Sequence, residues 1–274
     1  MAIGMIVKAL SGFYYVLAEG KHPDDGDLIQ CRARGILKKR NISPLVGDQV
    51  EFGLTEHGEG VVDDILPRVT ELTRPPVANA ELAVLVFSVD RPILNPHLLD
   101  KFLVHIESAN LDTIIVLTKT DLLTPVSEIE IADIIRPYEQ MGYGIYSTSS
   151  KLGRGIEEVS SRLSDVVSVF SGQSGVGKSS LLNAMLPGLT LATNEISERL
   201  GRGKHTTRHT ELIPLKSGGW VADSPCFTQL DFEGLEAEDL GSCFREFRSF
   251  TEACRFRGCV HHKEPNCAVK EAVE

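Results

Sequence analysis

Along the first 70 residues, apolar positions come in short alternating runs: Ile6-Val7, Phe13 to Leu17, Leu28-Ile29, Val50 and Phe52 around Glu51, and Val61-Val62. Turn-forming clusters interrupt them at Pro23-Asp24-Asp25-Gly26-Asp27, Val46-Gly47-Asp48 and His57-Gly58. Such a pattern predicts half-buried strands, and residues 1–70 therefore read as a small OB-like β-barrel, a class that often binds nucleic acid. After Thr73-Arg74-Pro75-Pro76 the period changes. Continuous apolar runs at 82–89, 113–117, 145–146, 166–170, 212–215 and 220–222 alternate with amphipathic stretches at 96–108, 127–141, 156–163 and 178–185. Strands separated by helices predict a largely parallel α/β sheet over 71–233, with its ligand site at the strands' carboxyl ends. From Gly234 the chain turns helical and charged and ends in a cysteine cluster, so 234–274 is expected to form a third, small unit.

Composition narrows the class. The chain has 274 residues, 42% of them hydrophobic and 24% charged, which excludes a disordered polyelectrolyte. No stretch approaches the roughly 18 apolar residues of a membrane span. The amino terminus lacks a cationic flank, a long apolar run and a cleavage site, so a cytoplasmic protein without a membrane partner is expected. A net charge of −10 argues against nonspecific duplex binding by the whole surface and leaves room for local basic patches.

The sharpest motif is the run Gly172, Gln173, Ser174, Gly175, Val176, Gly177, Lys178, Ser179, Ser180, a complete phosphate-binding loop between an expected strand and an expected helix. Its glycines let backbone N–H groups turn toward the β- and γ-phosphates, Lys178 supplies a point charge, and the Ser179 hydroxyl can ligate Mg²⁺. The base is read at Thr118-Lys119-Thr120-Asp121, after the strand ending at Leu117. A carboxylate at Asp121 that accepts from N1–H and the 2-amino group of guanine rejects adenine, which has neither donor; the triphosphate is then GTP. The plain alternative for this tetrapeptide is a polar helix start with Asp121 near an N-cap.

Three further segments fall where a GTPase needs them. Ser149, Ser150 and Lys151 follow a strand and can offer a backbone N–H to guanine O6. Asp223 ends the strand at 220–222, placed to hold Mg²⁺ through water, and Thr206 or Thr207 in Gly201-Arg-Gly-Lys-His205-Thr206-Thr207 can reach the metal when γ-phosphate is present. The order is unusual: the base-reading elements precede the phosphate loop, the reverse of a Ras-like chain. A site assembled from loops at one end of a sheet survives cutting and rejoining the chain elsewhere, so the sequence reads as circularly permuted.

The last unit carries Cys254-x4-Cys259-x-His261-x5-Cys267, a set suited to one structural, tetrahedral Zn²⁺, with His262 as the neighbouring alternative to His261. Cys31 and Cys243 have no partner at ligand spacing and read as isolated structural thiols. Two basic groups stand out: Arg32, Arg34, Lys38, Lys39 and Arg40, a run without intervening acids, and Arg245, Arg248, Arg255, Arg257 and Lys263 around the cysteine cluster. Both are expected to form an RNA surface in which charge and shape outweigh base reading.

With these loops, the stretches Leu-Thr-Arg-Pro-Pro-Val-Ala-Asn (72–79), Gly-Arg-Gly-Lys-His-Thr-Thr-Arg-His (201–209) and Cys-Arg-Phe-Arg-Gly-Cys-Val-His (254–261) make the chain resemble the RsgA (YjeQ) family of bacterial small-subunit assembly GTPases. The resemblance implies a multidomain α/β architecture: an OB-like barrel, a circularly permuted Ras-like P-loop GTPase domain and a small helical zinc-binding unit. It favours His261 as the ligand, and it implies GTP/GDP with Mg²⁺ and a slow GTPase stimulated by the 30S subunit, with 16S rRNA as partner. A monomer is expected.

In Ras-like enzymes a glutamine after the switch II glycine orients water; Phe227 stands there instead, and His205, beside the metal-sensing threonines, is the candidate to replace it, as the resemblance also implies. The chain departs from the family pattern in two places. Asp-Ser-Pro-Cys replaces Asp-Thr-Pro-Gly, so Cys226 occupies a glycine position, and the family's further helical segment after Cys267 is missing, so the tail's contacts are expected to be incomplete. The competing readings are an RNA-binding adaptor with a degenerate nucleotide site and an ATP-using P-loop kinase.

Overall fold

The computed structural model describes residues 1–22, 26, 28–55, 59–73, 75–186, 210–223 and 235–273, without the side chains of Lys38 and Asp223. His205, Thr206, Thr207, Cys226 and Phe227 lie outside the described residues, as do Arg74 and the turn clusters at 23–25 and 57–58.

The amino-terminal strands are β1 (Ala2–Leu10), β2 (Phe13–Ala18), β3 (Ile29–Ala33), β4 (Gln49–Leu54) and β5 (Gly60–Ile65), with the short helix α1 (Gly35–Lys39) between β3 and β4. Pairing runs β1–β2–β3–β5–β4 and returns from β4 to β1, which closes a five-stranded barrel around Ile6, Val16, Cys31, Val50, Phe52 and Val62. Closure removes the sheet edges that an open sheet of this size leaves unpaired. The sequence pattern did not announce α1, whose five residues are too few to show a helical period.

The Pro-Pro punctuation is not a loose linker. It carries a two-stranded ladder, β6 (Glu71–Leu72) with β7 (Val77–Ala78), and the Ala78 amide donates to Val46 O of the barrel. Beside it, Arg68 donates through Nε and Nη2 to the two oxygens of the fully buried Asp48 at 2.7 and 2.8 Å. The same guanidinium reaches Glu71 at 2.8 Å and Ser43 O at 2.8 Å. This bidentate geometry ties barrel to linker.

The second unit contains β8 (Leu82–Ser88), α2 (Pro96–Ser108), β9 (Asp112–Thr118), α3 (Pro125–Gln140), β10 (Gly144–Ser147), α4 (Ile156–Arg162), β11 (Val167–Ser171), α5 (Lys178–Met185), β12 (Thr210–Pro214) and β13 (Trp220–Asp223). Its strand order is β10-β9-β8-β11-β13-β12, parallel except for β12. All seven residues of β8 are buried, as a strand covered by helices on both faces requires. β12 also pairs antiparallel with β1, with Lys8 opposite Glu211 and a 2.9 Å ion pair between them, so barrel and α/β unit share one eleven-stranded sheet.

The last unit, α6 (Ala237–Leu240), two 3-10 turns, α7 (Arg248–Thr251) and α8 (Ala268–Val273), sits against α2. Glu107 of α2, only 6% exposed, receives Arg245 Nε at 2.6 Å and Arg248 Nη2 at 2.7 Å, and Tyr143 donates to it at 3.0 Å. Arg245 also lies 4.0 Å from the centre of the Tyr143 ring. Asp48→Ala strands the Arg68 guanidinium, which is 17% exposed, and is expected to cost roughly 3 kcal/mol; the urea unfolding midpoint measures it.

Candidate nucleotide site and metal centre

β11 delivers the chain into the phosphate loop, and Gly172, at φ +145°, needs its missing side chain: a Cβ there would sit 2.2 Å from Val86 O. Lys178, the first residue of α5, is 7% exposed, and its Nζ donates to Gly172 O at 2.8 Å and Gln173 O at 2.5 Å. The ammonium is thus folded over its own loop, which runs Gly172, Gln173, Ser174, Gly175, Val176 and Gly177. Ser179 and Ser180 follow in the first turn of α5, partly exposed.

The tetrapeptide at the end of β9 abuts this loop. Thr118 is 3% exposed, and its hydroxyl contacts Val176 O and, at 3.2 Å, Phe87 O. Thr118 therefore joins the base-reading and phosphate loops, a positioning part that the sequence reading did not distinguish from nucleotide contact. Lys119, at φ +60°, lays its Nζ on Asp90 O at 3.2 Å and Arg91 O at 2.5 Å. Asp121 follows in a 3-10 turn with its side chain 12% exposed.

Ser149 comes from the loop after β10 and donates its hydroxyl to Asp121 Oδ1 at 2.6 Å, while Lys151 Nζ stands 4.0 Å from Oδ2. The Ser149 hydrogen bond, more than the Lys151 charge, holds Asp121 below the ordinary carboxylate range, so the group is an anion with acceptor capacity at neutral pH. The two loops are also joined by Thr120, whose amide and hydroxyl both donate to Thr148 O, at 3.1 and 2.9 Å. Ser149 is fully buried and its own N–H donates to Arg154 O at 3.0 Å; the amides of Ser150 and Lys151 have no such partner among the described residues. Gly155 closes this loop at φ +70°, where a Cβ would lie 2.1 Å from Ser147 O.

On the other side of β11, Val169 pairs with Ala222, which brings Asp223 at the end of β13 to the same sheet end as the phosphate loop. Thr118, Lys119, Asp121, Ser149, Ser150, residues 172–180 and the backbone of Asp223 therefore converge on one edge.

Cys254, Cys259, His261 and Cys267 come together in the last unit, with all four ligand atoms within 4.8 Å of one another. His261 Nδ1 lies 3.3 Å from Cys267 Sγ and 3.7 Å from Cys254 Sγ, near the edge lengths of a tetrahedron with metal bonds of about 2.0–2.3 Å. The set can hold a metal ion. His261, not His262, faces the cluster, and Cys31 and Cys243 are buried away from it. Glu264, which the sequence reading missed, orders the loop behind His261: its carboxylate accepts from the amides of Val260, His262 and Lys263 at 3.1, 3.0 and 3.0 Å. The only sequence signal for it is position, three residues after a ligand.

The two basic groups are altered by folding. β5 brings acids to the first one: Arg34 Nε pairs with Asp63 at 2.5 Å and Arg40 with Asp64 at 3.8 Å. In the second, Arg245 and Arg248 are taken by Glu107, which leaves Arg255, Arg257 and Lys263 exposed at the knuckle. The run at 32–40 holds no acid in sequence, yet Asp63 and Asp64, remote from Arg34 and Arg40 along the chain, stand beside them in the fold.

Backbone hydrogen bonds, that of its own amide first, lower the Glu264 carboxyl from 4.5 to about 2. A depressed carboxyl stabilises the fold above its unfolded value, so Glu264's contribution is full above pH 4.5 and is lost as pH falls toward about 2. Glu264→Ala removes that ordering at neutral pH, and competition with a chromogenic chelator is expected to show Zn²⁺ held roughly tenfold less tightly.

Comparison with known proteins agrees with this arrangement. The RsgA N-terminal domain model matches residues 3–62 and the RsgA GTPase model residues 65–233. The small ribosomal subunit biogenesis GTPase RsgA of Geobacillus thermodenitrificans is 52% identical over 274 residues, covering 100% of this chain and 91% of that protein. The protein of the same name from Bacillus subtilis is 51% identical over 275 residues, with 100% and 91% covered. Among solved structures, YloQ, a circularly permuted GTPase, superposes with a TM-score of 0.83 at 45% identity, covering 100% of this chain and 88% of that one. YjeQ from Thermotoga maritima superposes with 0.86 at 37% identity, covering 99% and 91%. The phosphate loop, the Asp121–Ser149 pair and the barrel thus lie in a chain that belongs to the RsgA family of circularly permuted GTPases.

Proposed function

We propose that this protein hydrolyses GTP to GDP and phosphate as a checkpoint in maturation of the 30S ribosomal subunit, contacting 16S rRNA in the cytoplasm as a monomer. The observation that supports the reading is the junction at Thr118, whose hydroxyl joins the loop that carries an anionic Asp121 to the phosphate loop at one sheet end. Adenine lacks both the N1–H and the 2-amino group that Asp121 would accept from, which disfavours the kinase alternative.

In this reading Lys178 exchanges its two carbonyl partners for phosphate oxygens, and the loop amides share the anion. Asp121 accepts from the guanine, while Ser149 fixes its orientation. Ser179, Asp223 and Thr206 or Thr207 would hold Mg²⁺, which neutralises charge developing between the β- and γ-phosphates. His205 orients the attacking water, because Phe227 has no hydrogen-bonding group with which to do so. Cys254, Cys259, His261 and Cys267 would hold one Zn²⁺, a closed sphere of soft donors that fixes the knuckle and takes no part in hydrolysis.

Two measurements test the reading. Asp121→Asn is expected to move nucleotide preference from guanosine to xanthosine diphosphate, read by competition titration; retained guanosine preference would remove Asp121 from base recognition. His205→Ala is expected to lower turnover stimulated by small subunits by roughly tenfold or more with GTP affinity little changed. An unchanged turnover number would assign the water to another group.

A further inference from the structure

A guanine base presents two donors, N1–H and the 2-amino group, and along the adjoining edge two acceptors, O6 and N7. The groups at the end of β9 can be matched to them one hydrogen at a time. Asp121, held as an anion by Ser149, only accepts, so it answers the two donors and neither acceptor. Thr118 has a single hydroxyl hydrogen, and the acceptors that it meets are protein carbonyls, Val176 O of the phosphate loop and Phe87 O at 3.2 Å. Its side chain is 3% exposed and packs over that loop: a Cβ on Gly177 would lie 3.5 Å from the Thr118 hydroxyl and 3.9 Å from its methyl. Turning the hydroxyl toward a base would cost it both carbonyls. Thr120 commits its amide and hydroxyl to Thr148 O, and the Lys119 ammonium lies on Asp90 O and Arg91 O. In the neighbouring loop the amides of Ser150 and Lys151 have no partner among the described residues, and one of them suffices for O6. N7 is left without a donor.

We propose that Thr118 makes the site blind to purine N7: guanine is chosen wholly through N1–H, the 2-amino group and O6, and nucleotides of 7-deazaguanine, which carry C–H in place of N7, are accepted as readily as those of guanine. The inference rests on the reading above that Asp121 receives guanine, and it deepens that reading by naming the edge that carries selection and the modified nucleotides that pass it. An amide side chain at 118 has two hydrogens, one for Val176 O and one to spare, whereas threonine has one and spends it on the joint between the loops. N7 is common to guanine and adenine, so leaving it unread costs no discrimination between them.

The test uses the full-length protein with Mg²⁺ and a ribose-labelled fluorescent guanosine diphosphate, displaced in turn by guanosine, 7-deazaguanosine, inosine and adenosine diphosphates. The wild type is expected to hold the 7-deaza nucleotide within about twofold of guanosine diphosphate, and inosine diphosphate, which lacks the 2-amino group, roughly ten- to hundredfold more weakly. Thr118→Asn is expected to open a preference for guanosine over 7-deazaguanosine diphosphate of roughly three- to tenfold. A larger wild-type loss with the 7-deaza base overturns the proposal, and so does a folded Thr118→Asn protein as indifferent to N7 as the wild type. Should Thr118→Asn not fold, the wild-type comparison decides alone. Adenosine diphosphate displacing the probe as well as guanosine diphosphate contradicts the guanine reading instead, while the 7-deaza comparison still judges Thr118.

Discussion

Burial of β8, β9 and β11 on both faces is the constraint on which the nucleotide end depends. Every residue of β8 and β11 is buried, and β9 is buried from Thr113 to Thr118. Parallel strands covered on both faces leave no room for charge along their length, so the polar groups are displaced to the strand ends. There the backbone still requires partners, and Thr118 supplies one by touching carbonyls of β8 and of the phosphate loop. Thr118 thereby holds the two loops to one another.

That arrangement is indifferent to the order in which the chain visits it. The loops at 118–121 and 149–151 precede the phosphate loop at 172–178 in the chain, yet the strand order β10-β9-β8-β11-β13-β12 brings them to one edge. The permutation does change what the site is attached to. β12, which leads out of residues 201–209, pairs with β13 on one side and with barrel strand β1 on the other. Glu211 stands opposite Asp223 in one ladder and opposite Lys8 in the other. Barrel and GTPase unit are thus a single hydrogen-bonded sheet.

Charge behaves less simply than the sequence suggests. Six of the arginines expected on RNA-facing patches lie near acids that are distant in the chain or next to aromatic rings. Glu107 takes Arg245 and Arg248 to dock the metal unit, and Asp63 and Asp64 take Arg34 and Arg40. Arg32 on the barrel and Arg255 on the knuckle instead lie over phenylalanine rings, Phe13 at 4.7 Å and Phe256 at 5.4 Å. Arg257 and Lys263 stay exposed beside the metal set, so the basic groups divide among ion pairs, ring contacts and open surface.

The sequence by itself determined the strand–loop–helix character of the phosphate site, the permuted order, the barrel and the four-residue metal set. Each of these is written in local chemistry: periodicity along a strand, glycine where a Cβ would strike a carbonyl, thiols at ligand spacing. Tertiary structure alone decided that Ser149 orients Asp121, that Thr118 is a joint, and that Asp48 and Glu107 are the buried anchors of Arg68 and of the last unit. Those roles depend on pairs as far apart as residues 107 and 245, and no spacing along a chain encodes which distant side chain will share a buried charge's desolvation.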